Sequence, residues 1–270
     1  MLLKGKNAII YGGGGSVGGA VARAFAREGA RVFLAGRTRA TLETVADQIR
    51  AAGGAAETAE VDALDERSVD KHAAAVATGA GSIDVSLNVI SDGDVQGTPM
   101  IDMPLEDYLR PVTTSVSSKF LTSRAAARHM AGQRSGVIMT FGGPGDRGSM
   151  RGYDLGGLLV AFDAVESMRR QLASELSPYG IRVVTLQTGG LPETIPALRP
   201  ARGHRGRHCR ADPDRAGGVA GGRRQRGRLR RLGLGPHRDG VRDQHDLRRG
   251  PGLRGTATRS GPPGLRAVKG

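Results

Sequence analysis

The residues best suited to chemistry in this chain of 270 are glycines. Gly12, Gly14, Gly15, Ser16, Val17 and Gly18 lie in the run from Tyr11 to Gly19. The apolar stretch Asn7–Tyr11 before it has the length of a buried strand. The segment after it, residues 20–28, carries apolar residues at helical spacing. Strand, glycine turn and helix together make an anion site. Glycines let the backbone turn tightly and let a pyrophosphate come close. The first N–H groups of the helix have no partner inside it and point at the anion. A bare glycine run also suits a linker; the flanking strand and helix favour a dinucleotide.

The elements that must hold this turn recur at regular intervals. Short apolar runs at 31–35, 58–61, 83–90, 136–141 and 181–186 read as strands. Amphipathic stretches at 38–52, 65–77, 105–130 and 157–176 read as helices between them, the first stopped by Gly53 and Gly54. Strands regularly separated by helices imply a parallel sheet with helices on both faces, an α/β fold. Ligands of such sheets bind beyond the carboxyl ends of the strands, where the strand order reverses.

Composition narrows the function. No apolar run is long enough to span a bilayer. Residues 1–4 lead straight into the first strand, so no signal peptide is expected and a cytoplasmic location is. One cysteine, Cys209, leaves no intramolecular disulfide framework, and no Cys/His cluster at zinc spacing occurs before residue 199. The net charge of +14 suggests nucleic acid, but from Arg199 onward the net charge is +15 and before it −1. The region before Arg199 is therefore near neutral. The region after it has no Ile, Phe, Tyr, Met or Glu, no 3.6 or 2.0 period, and too little apolar surface to offset chain entropy.

Over about residues 5–195 the chain resembles the short-chain dehydrogenase/reductase family. That family's first turn reads Thr-Gly-x-x-x-Gly-x-Gly. Here Tyr11 to Gly18 keeps two of the three glycines, with Ser16 at the middle one. The resemblance implies a Rossmann-like, doubly wound parallel sheet in three α/β/α layers, with residues 1–195 as a dinucleotide-binding domain. It places Gly12, Gly14, Gly15, Ser16, Val17 and Gly18 around the diphosphate. The second strand runs into Gly36, Arg37 and Thr38. An NAD site wants a carboxylate near Gly36 for the ribose 2′-hydroxyl, whereas a guanidinium pairs with a 2′-phosphate, so NADP is expected and NAD is possible. The alternative for Arg37 is a solvated residue near a helix start. Asp62 resembles the aspartate that bonds the adenine, and equally suits a strand-end turn. Asn88 stands at the first residue of the family's Asn-Asn-Ala-Gly, which brings Ile90 to the cofactor as well; its structural alternative is to pin neighbouring strands.

The family's chemistry is carried by an Asn, a Ser and a Tyr-x-x-x-Lys pair. The Tyr hydroxyl exchanges a proton with the substrate oxygen, and the ammonium lowers its pKa. Anchored on residues 164–173, these positions fall on Ser115, Gly142 or Gly143, Leu158 and Phe162. None matches, so the catalytic residues are unassigned and carbonyl reduction is expected to be impaired. A positioned general acid is worth about 10²–10⁴-fold in rate. Tyr153 is the nearby phenol; Asp154 and Asp163 read as turn and helix-start charges. Thr188 and Gly189 stand where the family has Pro-Gly and would border the nicotinamide.

Residues 196–270 have three readings: a nucleic-acid-binding arm without aromatic residues to stack on bases, a plain disordered extension, or an out-of-frame translation. Written in GC-rich codons and read one base forward, residues 223–235 permit Ala-Ala-Asn-Val-Ala-Ala-Phe-Val-Ala-Ser-Asp-Trp-Ala. That resembles the family's last helix, so a frameshift between about 191 and 223 is expected. It would remove the substrate lid, last helix and edge strand, and leave the sixth strand with an open edge and an uncovered apolar face. The leading functional reading is an NAD(P)-dependent oxidoreductase acting on a small carbonyl or alcohol, homo-oligomeric if its C-terminus were intact, and not on a membrane. The alternatives are an inactive nucleotide-binding module and, less favoured, a nucleic-acid-associated protein.

Overall fold

The computed structural model describes residues 1–143 and 154–188. The expectations for Tyr153, Gly189 and residues 196–270 lie outside the described residues.

The chain begins β1 (Asn7–Tyr11), α1 (Ser16–Arg27), β2 (Arg31–Gly36), α2 (Arg39–Ala51) and β3 (Ala55–Glu60). It continues with α3 (Glu66–Ala80), β4 (Val85–Asn88), α4 (Leu105–Gln133), β5 (Gly136–Gly142), α5 (Gly157–Leu176) and β6 (Ile181–Gln187). The six strands are all parallel, in the order β3-β2-β1-β4-β5-β6. The chain winds outward from β1 to β3, then returns to place β4 on the other side of β1. This is the doubly wound, Rossmann-like arrangement the sequence implies.

Alternation along β1 builds two cores. Ile9 and Tyr11 pack with Val69, Ala73 and Val76 of α3 and with Ala126 and Met130 of α4. Ala8 and Ile10 pack with Ala22 of α1 and with Leu42, Val45 and Ile49 of α2. Side chains such as Ile9, Ile10 and Leu34 have no exposure at all. Each contributes roughly 1.5–3 kcal/mol by leaving water. The helices therefore cover both faces of the central strands and fix where the strand ends open. On β6, Ile181 and Val183 are buried, whereas Val184 and Leu186 on the opposite side are exposed.

Three boundaries differ from the periodicity. α1 starts at Ser16, four residues before the apolar pattern, because Gly18, pressed against the glycine turn, and Gly19, beside Val45 of α2, have no side chain to mark the period. β3 starts at Ala55, not 58. It is an edge strand of alanine, threonine and glutamate, held by its ladder from Arg31↔Ala55 to Gly36↔Glu60. β4 is shorter than the apolar run 83–90. Single backbone bonds nevertheless extend its pairing, from the Asp84 N–H to the Asn7 carbonyl and from the Val89 N–H to the Tyr11 carbonyl.

Candidate nucleotide-binding cleft

A cleft of about 580 Å³ opens at the carboxyl ends of β1, β2 and β4, where the strand order reverses. Its floor is the glycine turn. Gly12, at φ +84°, donates its N–H to the Ala35 carbonyl at 2.8 Å, and Gly15 donates to the Gly12 carbonyl at 3.0 Å. A side chain at Gly12 would meet the Val89 carbonyl oxygen at 2.8 Å, and one at Gly14 would run into Thr41. Gly12, Gly14 and Gly15 line the cleft. Ser16 and Val17 open α1 beside it without being part of its lining. Gly18 also lies outside the lining; it is pressed against the Gly12 carbonyl, so it sets how closely helix and turn approach.

Two helices begin at this cleft, and neither is capped. Gly15, the N-cap of α1, has no side chain to offer; Thr38, the N-cap of α2, makes no capping bond. Neither helix has an acidic residue in its first turn. By contrast, Asp65 caps α3 and accepts from the Arg67 N–H at 2.9 Å, and α4 carries Glu106 and Asp107 in its first turn. Orphan helix N–H groups need acceptors, and a carboxylate there would compete with an anion. Both helix starts facing the cleft are thus open to negative charge. Arg37 and Thr38 both line it, and Arg37 is exposed with no ion pair among the described residues.

The opposite wall comes from Val61, Asp62, Ile90, Arg110 and Thr114. Asp62 is exposed and its Oδ1 accepts the Leu64 N–H at 3.0 Å, as a turn aspartate does, with Oδ2 still available. Asn88 is buried and outside the lining. Its Nδ2 donates to Thr122 Oγ1 at 3.1 Å and its Oδ1 accepts from the Ile90 N–H at 3.2 Å. It ties the end of β4 to α4 and so steadies Ile90. Tyr11 lines the floor; burial, and then the negative charge of Asp70, push its phenol above the usual tyrosine value.

Behind the wall lies a polar group that spacing does not reveal. Lys119 is fully buried, its Nζ 2.8 Å from Asp92 Oδ1 and 2.7 Å from Ser115 Oγ. Asp92 falls between Ser91 and Gly93, both of which line the cleft. The pair therefore clamps the loop after β4 to α4. Arg110 and Thr114 were likewise missed: periodicity finds the helix but not which flank turns toward the cleft. A lysine four residues after a serine in an otherwise apolar and small-residue stretch is the one sequence signal that existed.

The resemblance would put the catalytic groups at Ser115, Gly142 or Gly143, Leu158 and Phe162. Ser115 and Leu158 are buried, and the Phe162 ring packs where a side chain at Gly143 would have to go. Asp154 and Asp163 are exposed. Nearby, Thr140 and Thr185 hydroxyls are 3.0 Å apart, and Thr185 donates to Glu166 Oε2 at 3.0 Å. The hydrogen bond from Arg169 holds the Glu166 carboxyl below its ordinary value, so Glu166 is an acceptor and not an acid.

The family model described as enoyl-(acyl carrier protein) reductase matches residues 13–201. L-rhamnose 1-dehydrogenase (NAD(P)(+)) of Azotobacter vinelandii is 34% identical over 204 residues, covering 72% of this chain and 77% of that protein. A short-chain type dehydrogenase/reductase from Mycobacterium marinum has 32% identity and a TM-score of 0.63, over 68% of this chain and 74% of its own. A metagenomic short-chain oxidoreductase solved in complex with NADP has 25% identity and a TM-score of 0.63, over 71% of this chain and 85% of its own.

Proposed function

This chain belongs to the short-chain dehydrogenase/reductase family, and on that premise we propose that it binds NADP in the cleft and acts on a small alcohol or carbonyl compound. The fit of a dinucleotide is supported by the glycine floor, where a Cβ at Gly12 or Gly14 would fill the cradle, and by the uncapped starts of α1 and α2. Gly12, Gly14, Gly15 and the first-turn amides of Ser16, Val17 and Gly18 would hold the diphosphate. Asp62 would take the base, and Ile90, fixed by Asn88, would line the nicotinamide side. The bound cofactor supplies hydride chemistry. The observation that carries the NADP reading is Arg37: a guanidinium with no ion pair among the described residues, beside Gly36, where an NAD site wants a carboxylate. The likeness to an L-rhamnose dehydrogenase favours sugars and polyols as the first substrates to try.

The test is titration of the full chain with NADPH and NADH, followed by cofactor consumption with aldoses, ketoses and simple ketones. Tighter binding of NADPH than NADH with slow turnover is expected. No binding of either by folded protein refutes the reading. A second reading, a nucleotide-binding module without redox turnover, is favoured by Leu158 and Phe162, which can neither donate a proton nor carry charge. Tight NADPH binding with no consumption across the panel would select it.

A further inference from the structure

We infer that Tyr11 is a ligand-binding residue of this chain: its hydroxyl donates a hydrogen bond to the adenosine portion of the nucleotide in the cleft. The inference rests on the NADP reading above. Tyr11 ends β1, in register with Ala35 of β2 and Asn88 of β4, so it stands at the reversal of strand order. Its side chain is on the α3/α4 side, among Phe33, Val61 and Val69. The ring is 1% exposed and braced edge-on by His72, with centroids 5.9 Å apart and planes at 85°.

A ring so placed needs no hydroxyl for its packing; phenylalanine would fill the same space. The hydroxyl hydrogen-bonds to no described residue and is not among the described polar atoms sealed from water, so the slight exposure of Tyr11 includes it. Yet Tyr11 lines the cleft beside Val61, Ala63 and Ile90, so the one polar atom of the side chain has the cleft as its outlet. Burial and the nearby Asp70 keep the phenol protonated, so it presents a donor at every working pH. Its packing with Val61 and Ala63 puts the side chain by the wall that these two residues line. Adenosine ring nitrogens and ribose oxygens are acceptors of the kind it lacks.

The experiment uses the full chain and the variant Tyr11→Phe, with calorimetric titration of NADPH, adenosine 2′,5′-bisphosphate and nicotinamide mononucleotide. Loss of about five- to twentyfold in affinity for NADPH and for the bisphosphate is expected, as for one hydrogen bond. Affinity for the mononucleotide and the melting temperature without ligand should stay unchanged. Y11F binding NADPH within twofold of the parent overturns the inference alone. So does a ligand-free melting temperature lowered by several degrees, which would mean that the hydroxyl is spent inside the protein. A parent chain that binds no pyridine nucleotide overturns the NADP reading and this inference with it.

Discussion

Replacing Lys119 with methionine is expected to cost the fold about 3 kcal/mol, because it strands a carboxylate. The Lys119 side chain is 1% exposed and that of Asp92 is 11% exposed, with 2.8 Å between Nζ and Oδ1. Methionine keeps the aliphatic stem and its packing, so the loss is almost wholly electrostatic. Removing one partner of a buried pair typically costs about 3–5 kcal/mol, and the slight access of water to Asp92 sets the lower end here. Ser115 Oγ also loses the donor it accepts from at 2.7 Å. For a folded body of this size each kcal/mol moves the melting temperature by about 2–4 °C, so a fall of about 6–12 °C follows. The assay is urea unfolding followed by circular dichroism on the parent, K119M, D92N and the double variant. The double variant should lose about 2 kcal/mol less than the sum of the singles, since the unpaired charge is then gone. NADPH affinity should fall with K119M, because Ser91 and Gly93 flank the released Asp92 and line the cleft. Additive losses, or a K119M within about 0.5 kcal/mol of the parent, would refute the clamp.

Arg37→Ala should weaken NADPH about tenfold to a hundredfold, as for a charge-assisted bond, and leave NADH nearly unchanged in the same titration. Equal losses for both would remove the 2′-phosphate role. His72 is buried, and burial lowers its pKa from 6.5 to about 4. Its neutral form is therefore the one the fold prefers: the stability it confers is complete above pH 6.5 and is lost as pH falls toward 4. The loss should reach about 3 kcal/mol, and His72→Phe should flatten that slope in a pH series of urea unfolding. A parent profile already flat between pH 7 and 4 would contradict this. Gly18→Ala should destabilise the chain by about 1–3 kcal/mol and weaken nucleotide binding, since its Cβ would strike the Gly12 carbonyl. Gly79→Ala, in an open stretch of α3, should instead stabilise by about 0.5–1 kcal/mol on thermal melting.

The sheet was legible because its central strands are buried on both faces. Ile9 and Ile10 point to opposite cores, so the run reads as continuous apolar sequence whichever face is considered. β3 was placed late for the opposite reason: an edge strand of AAETAE holds its register by backbone pairing, which leaves little mark on side-chain type. Within the glycine turn, spacing marks where Cβ is forbidden but not why. At Gly12 the obstacle is a neighbouring loop, and at Gly18 it is the turn itself. Arg37 was legible as a charge at a strand end, yet its lack of an ion pair among the described residues is a property of the assembled surface. The Asp92–Lys119 contact joins residues 27 apart and lies across two elements; no local pattern encodes it.

Every described residue that walls the cleft lies between Tyr11 and Thr114. The proposed grip on NADP would then rest on a different length of the described chain from Leu158 and Phe162 of α5. Substitutions in α5 would leave the described walls of the cleft as they are, so binding and turnover can be changed one without the other.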